Sequence, residues 1–226
     1  MTEAEWSAQR RHPQAMVNEL RRIGKVTRTK AGKRKLRLFG CGCCRLVWDL
    51  LADPRLRRAV EVAERFAEGN GRKDELRTSF NSILELTLGG YAPGDPGIQA
   101  RTAAHMALSA TTDSALACTF DVTAMPLPLA GYTEAGASGD EILCNLLRCV
   151  FGNPFRAVST DASWRSSTVV ALAQGMYAER AFDRMPILAD ALEETGCTDA
   201  EILGHCRGPG PHVRGCWVVD LILGKS

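Results

Sequence analysis

Apolar side chains recur at helical spacing along most of this chain, and this pattern constrains the fold more than any other feature. The clearest run lies in residues 34–52, with apolar positions Leu36, Phe39, Cys43, Leu46, Val47, Leu50 and Leu51. Steps of three and four residues place such side chains on one face of an amphipathic helix. No segment alternates apolar and polar residues as a half-buried strand would, and no repeat of fixed period occurs. We therefore predict an all-α fold, a compact multi-helix bundle with a long Pro/Gly loop between two helical segments.

Turn and cap residues set the expected limits of the individual helices. Asp53 precedes a proline that opens one helix, and Thr198 with Glu201 has the form of a capping box. The predicted helices are residues 13–23, 34–52, 54 to the turn at 69–71, 74–88, 98–120, 140–151, 168–180, 187–194, 198–204 and 214–223. Residues 25–33 are predicted as a basic linker and residues 91–97 as a loop. For residues 217–219 a strand is the alternative.

Residues 124–139 are rich in proline and glycine, which favour loops. We expect this stretch to separate two parts of the chain. The predicted organisation is an N-terminal helical segment, residues 1–123, the loop 124–139, and a C-terminal helical segment, residues 140–226.

Positive charge is concentrated near the start of the chain. Residues 10–37 hold eleven Lys or Arg and one acid, Glu19, although the net charge of the whole chain is only +2. A basic arm of this kind can bind nucleic acid or an anionic surface by counterion release. No aromatic residue interleaves with these charges. A solvated helix face joined to a flexible linker is therefore the competing interpretation.

The nine cysteines bear on location and redox state. The first residues are acidic and form no apolar signal segment, and no apolar run reaches the ~18 residues that a spanning helix needs. We expect a cytoplasmic protein with no membrane partner. Its thiols should stay reduced, and most of them should act as small buried apolar residues.

Two of the four histidines and two of the cysteines flank a Gly-Pro-Gly-Pro turn near the C-terminus. Zinc takes four nitrogen or sulfur ligands in a tetrahedron. If a helix begins at Arg214, His212 and Cys216 stand near one face, one turn apart. The candidate zinc ligands are His205, Cys206, His212 and Cys216, joined from the front half by Cys43 and Cys44. Buried structural thiols are the alternative, because no CxxC pair is present.

The same turn raises two further hypotheses. An anion could bind where the loop opens a helix, at Arg207, Gly208, Gly210 and Arg214. The Lys-Ser/Thr of a P-loop is missing, so a rigid turn with both arginines paired to nearby acids competes with this interpretation. Alternatively, a cysteine nucleophile, Cys216 or Cys206, could use His212 or His205 as its base, with Asp220 as the nearest candidate to orient that base.

Several segments of the sequence resemble a large paralogous family of planctomycete-type bacterial proteins whose mechanism is unassigned. The C-terminal block is His-Cys-Arg-Gly-Pro-Gly-Pro-His-Val-Arg-Gly-Cys-Trp-Val-Val-Asp, residues 205–220. The other matching phrases are residues 1–6, 37–45, 147–148, 151–156, 180–186 and 188–194. Some members are labelled cell-wall-assembly-regulator-like, and the C-terminal block recurs behind different front halves. The resemblance implies an interaction module rather than a dedicated catalytic domain.

Together these features favour a cytoplasmic helical protein that binds another protein and is not an enzyme, with the Gly-Pro loop in the contact surface. One alternative is a zinc metalloprotein, including a hydrolase, that uses the C-terminal histidines and cysteines. A second alternative is nucleic-acid binding through residues 10–37.

Overall fold

The computed structural model describes residues 1–84, 138–156, 158 and 161–225. The α-helices in this part of the chain are α1 (Glu3–Ala8), α2 (Pro13–Ile23), α3 (Lys25–Arg28), α4 (Lys30–Leu46), α5 (Pro54–Ala67), α6 (Lys73–Leu84), α7 (Gly139–Phe151), α8 (Ser167–Glu179), α9 (Met185–Glu194), α10 (Ala200–Arg207) and α11 (Trp217–Leu223). Short 3-10 helices occupy Trp48–Leu50, Ala162–Trp164 and Phe182–Arg184. No strand occurs among the described residues, so the all-α prediction is confirmed there.

Several predicted elements fall outside the described residues. These are the loop at 91–97, the helix at 98–120, residues 124–137 of the predicted loop, and the last four residues of the helix predicted at 74–88. Among the helices that are described, none is both long enough and apolar enough to cross a bilayer.

The chain divides into two units. The first unit consists of Met1 and Ala8–Cys144, and the second consists of Thr2–Ser7 and Asn145–Ser226. The second unit therefore takes one short piece of chain from the N-terminus.

In the first unit, α5 packs against both α4 and α6. The apolar face predicted for α4 is buried, and Phe39 and Cys43 are fully enclosed. At the rim of this core, Arg45 of α4 donates two hydrogen bonds of 2.9 Å to the buried carboxylate of Glu64 on α5. A two-pronged bond of this kind fixes the orientation of both helices as well as their distance.

The basic linker predicted at residues 25–33 is wrong, because α3 and the start of α4 occupy it. The Thr29 hydroxyl accepts a hydrogen bond from the Gly32 backbone N–H at 3.0 Å and caps α4. Gly32 also lets the two helices meet, since a Cβ there would lie 2.1 Å from the Val26 carbonyl oxygen. The helix predicted at 34–52 therefore begins earlier, at Lys30, and it ends at Leu46.

The basic charges of residues 10–37 lie mostly on helices. Arg34 pairs with Glu68 at 2.7 Å, with both side chains largely buried. The Arg37 side chain is also buried, and its guanidinium lies 5.1 Å from the centre of the Phe66 ring. These cations contribute to the packing of the unit, which lowers the number available to a nucleic acid.

In the second unit, α1 packs on the end of α7. The Trp6 indole N–H donates to the Gly152 carbonyl at 3.1 Å, and Arg148 donates to the Trp6 carbonyl at 3.0 Å. Gly152 has a φ of +63°, and a Cβ there would lie 3.1 Å from the ring of Trp217. The end of α7 is therefore held between an N-terminal tryptophan and the first residue of α11.

The remaining helices of this unit pack in a connected set. Helix α8 contacts α9 and α11, and α10 contacts α9 and α11. Asp199, rather than the predicted Thr198, caps α10, because its carboxylate accepts from the backbone N–H groups of Glu201 and Ile202. Helix α10 runs on to Arg207, beyond the predicted end at residue 204.

The last helix begins at Trp217, three residues later than predicted, and residues 217–219 are helical rather than a strand. The loop between α10 and α11 extends to Cys216. Glycines occupy the positions of this loop where φ is positive, at +78° for Gly210 and +89° for Gly215. Such values are accessible mainly to glycine, so the chain turns here instead of starting a helix.

Candidate metal centre

Four side chains with metal-binding atoms converge within the second unit. Cys149 lies in the last turn of α7, His205 in the last turn of α10, His212 in the following loop, and Cys216 at the N-cap of α11. One ligand atom from each of these residues lies within 4.8 Å of the other three. A search of the described residues for three or more His, Cys, Asp or Glu that could hold a metal ion gives these four residues.

The separations between these atoms fit a tetrahedral ion. With Zn–S near 2.3 Å and Zn–N near 2.05 Å, adjacent ligand atoms in a tetrahedron lie about 3.3–3.8 Å apart. His205 Nε2 lies 3.3 Å from Cys216 Sγ, and His212 Nδ1 lies 3.7 Å from Cys149 Sγ. Both distances fall inside that interval, and the other pairs of donor atoms lie no more than 4.8 Å apart.

The orientation of His212 is set by the Gly-Pro loop. Its Nε2 lies 3.4 Å from the Gly208 carbonyl oxygen, which can only accept a hydrogen bond. Nε2 is therefore the donor in this contact, and Nδ1 is the ring nitrogen that faces Cys149. A metal-binding histidine commonly donates its other ring N–H in this manner. The close turn also needs Gly210, since a Cβ there would lie 3.1 Å from the His212 backbone nitrogen.

Burial differs between the sulfur and nitrogen donors. Cys149 is 1% exposed and Cys216 is not exposed, whereas both imidazoles are half-buried. The His205 ring lies 4.8 Å from that of His212 and 5.4 Å from that of Trp217. The thiols thus sit on the inner side of the group, where a negative charge needs a nearby cation.

The surroundings of Cys216 favour its thiolate. Burial alone raises the pKa of this thiol. Hydrogen bonds with Cys149, His205 and His212, together with positive charge on His205, outweigh burial and hold the pKa of Cys216 well below its ordinary value. A thiolate is the form that binds metals.

Cys206, by contrast, is a poor ligand. Burial raises its pKa well above the ordinary value of a thiol, and negative charge on Cys216 and Cys197 raises it further. It follows His205 on α10, so the two side chains diverge by about 100° around the helix. Cys206 is not part of the converging group.

Three of the six predicted ligands therefore come together, namely His205, His212 and Cys216. Cys43 and Cys44 are buried in α4 of the first unit and are not members of this group. Cys149 was not predicted, because no sequence spacing links residue 149 to residues 205–216. The prediction that His212 and Cys216 share a helical turn is wrong, since the loop, and not a helix, brings them together.

The two arginines of the predicted anion site have other partners. Arg207 pairs with Asp190 at 2.8 Å and with Glu193 at 2.5 Å. Arg214 donates to two backbone carbonyls at the end of α8, each at 3.1 Å. These contacts favour the competing interpretation of a rigid turn, in which Arg214 caps the end of α8.

The predicted cysteine nucleophile has a base within reach, since Cys216 Sγ lies 3.3 Å from His205 Nε2. A nucleophile must also reach its substrate, and Cys216 has no exposed surface. A pocket of about 190 Å³ adjoins the group, and its wall includes Cys149, His205 and His212 but not Cys216. A metal ion at this site can bind all four side chains. A nucleophile must contact a substrate, and Cys216 is enclosed.

None of the eight described cysteines forms a disulfide.

Comparison with protein-family models, with curated proteins and with solved structures found no match. The resemblance to planctomycete-type proteins therefore stays a prediction, and the candidate site depends on its own geometry.

Proposed function

We propose that the second unit binds one zinc ion through Cys149, His205, His212 and Cys216. The observation that carries this proposal is the approach of four donor atoms, from three helices and a loop, to within 4.8 Å of one another. Two thiolates and two neutral imidazoles form a donor set that suits zinc. The two negative charges also balance the charge of the divalent ion.

The ion has a structural role in this proposal. Four protein ligands fill a tetrahedral zinc, and a catalytic zinc keeps one position open for water or substrate. The ligands come from α7, α10, the Gly-Pro loop and the start of α11. One ion therefore ties the C-terminal loop and helix to two other helices. A zinc-stabilised module is favoured over the hydrolase alternative.

The contacts give less support to the other predicted functions. In the part of the chain that is described, Ile187 is the large apolar side chain that stands exposed, at 56%. A single exposed side chain is normal on a protein surface and does not mark a docking face. Binding to another protein and binding to nucleic acid both remain predictions from the sequence.

Metal analysis of the purified full chain tests the proposal. We expect one zinc per chain after expression with zinc, and none after dialysis against a strong chelator at low pH. Cobalt(II) added to the metal-free chain should give the d–d bands of a tetrahedral site and the charge-transfer absorption of thiolate ligands.

Matched variants locate the site. Cys149→Ala and His212→Ala should lower zinc affinity by at least about ten-fold. Cys206→Ala removes a buried thiol outside the group, and His12→Ala removes an exposed imidazole, so both should bind zinc as the wild type does. Zinc-free protein from zinc-replete cells, or equal loss of zinc in the Cys206 variant, contradicts the proposal.

A further inference from the structure

One of the two cysteines of the candidate metal centre lines the pocket beside it. Cys149, His205 and His212 line it together with Asn145 and Arg148, whereas Cys216 is absent from its wall. Its volume of about 190 Å³ exceeds that of several water molecules. A small solute in this pocket therefore meets Cys149, which is 1% exposed, and does not meet Cys216.

We propose that Cys149 is a peroxide-reactive site and that Cys216 is its resolving thiol, so that a hydroperoxide converts the zinc ligands into a disulfide and releases the ion. This inference rests on the zinc site proposed above. It adds a substrate class, a hydroperoxide, and a chemical reason for the placement of the pocket.

The reaction balances with the hydroperoxide as the oxidant. The Cys149 thiolate attacks the outer peroxide oxygen, so an S–O bond forms, the O–O bond breaks, and hydroxide or alkoxide leaves. The Cys216 thiolate then attacks the Cys149 sulfur, forming the S–S bond and expelling hydroxide. The two sulfurs lose two electrons in total and the peroxide gains them. Zinc(II) keeps its oxidation state and loses two of its four ligands.

The geometry supports each step. The two sulfur atoms lie within 4.8 Å of each other, and they must close to about 2.05 Å in a disulfide. Arg148 lines the same pocket, and its guanidinium, held by the Trp6 carbonyl and the Asn145 side chain, supplies positive charge near the departing oxyanion. Cys206 has no exposed surface and does not line the pocket, so it is not positioned to compete.

Hydrogen peroxide added to the zinc-loaded full chain tests the inference. We expect zinc, measured with a chromogenic chelator, to appear in equal amount with a Cys149–Cys216 disulfide, measured by peptide mapping. Dithiothreitol should restore both thiols and zinc binding. The four buried thiols of the first unit, Cys41, Cys43, Cys44 and Cys144, serve as internal controls that should stay reduced.

Two variants separate the roles of the sulfurs. Cys216→Ala should accumulate a sulfenic acid at Cys149 that dimedone traps, whereas Cys149→Ala should leave Cys216 unmodified. If either variant folds poorly, the peptide map of the wild type still decides the pairing. A zinc-loaded protein that keeps its zinc and thiols in peroxide, or that joins another pair, overturns this inference. Absence of zinc before peroxide is added overturns the zinc site instead.

Discussion

In the first unit, arginine–glutamate pairs join neighbouring helices, whereas the second unit has a cluster of thiols and imidazoles in addition to its ion pairs. Arg45 and Glu64 carry opposite charges and satisfy each other in the folded chain. Cys149 and Cys216 sit inside the second unit beside two histidines, and as thiolates in the proposed zinc site they would balance the charge of the divalent ion. The comparison leads to a prediction. The described part of the first unit pairs these buried charges without a ligand, whereas the second unit, with the proposed zinc site, should depend on an ion for part of its stability.

Removal of zinc should produce the largest difference in stability between the two units. With free zinc at 1,000 times its dissociation constant, binding stabilises the folded unit by about 4 kcal/mol. A chelator should therefore increase hydrogen exchange in α7, α10 and α11 and leave α4 and α5 unchanged. Region-resolved exchange by mass spectrometry measures both units in one sample. Equal loosening of both units would show that the dependence on metal is not confined to the second.

The next largest effect is expected in the first unit. Glu64→Ala leaves Arg45 without its carboxylate in a site where Glu64 is only 2% exposed, and such a loss costs about 3 kcal/mol. Denaturant unfolding should show this loss with zinc present or absent. Glu61→Ala, an exposed residue on the same helix, is the matched control and should be close to neutral. A Glu64 variant that also loses zinc would contradict the expectation that zinc binding does not depend on this ion pair of the first unit.

Two glycine-to-alanine substitutions in the second unit are expected to change its stability in opposite directions. Gly152→Ala introduces a side chain at a φ of +63° and within 3.1 Å of the Trp217 ring, so we expect a loss of about 2 kcal/mol. Gly175→Ala lies inside α8, where a Cβ meets nothing within 4 Å. That change should stabilise the helix by about 0.5–1 kcal/mol. Thermal melts of the zinc-loaded variants compare the two, and shifts of the same sign would contradict the expectation.

The smallest effect concerns an exposed pair of the second unit. Hydrogen bonds from Arg207 hold the pKa of Glu193 below its usual 4.5. A lowered folded pKa stabilises at pH values above 4.5, and this stabilisation is lost as the pH falls through the lowered value. Water screens the pair because both side chains are more than 40% exposed. Glu193→Gln should therefore leave the melting temperature unchanged at pH 7 and at pH 4, and a clear drop at pH 7 alone would show an unexpectedly strong pair.

The predictions from sequence succeeded where the signal spans one or two helical turns. Helix α2 has the predicted limits, because Pro13 begins it and Gly24, in the left-handed conformation, ends it. The prediction was wrong at residues 25–33, where the run of cations resembles a linker. There the cap at Thr29 and the contact of Gly32 with Val26 form helices that composition alone does not indicate.

The candidate metal centre also combines residues that a local sequence pattern indicates with a residue that only a tertiary contact reveals. By itself the sequence determined the all-α class of the described residues and placed three of the four donors, His205, His212 and Cys216, within a dozen residues of one another. Only the tertiary structure decided that Cys149 completes the group and that Cys206 is left out. Helix periodicity and capping act between near neighbours in the chain, whereas the approach of residues 149 and 212 depends on how α7, α10 and α11 pack. Packing across so many residues leaves no local pattern in the sequence, and for that reason the fourth ligand was visible only in the folded chain.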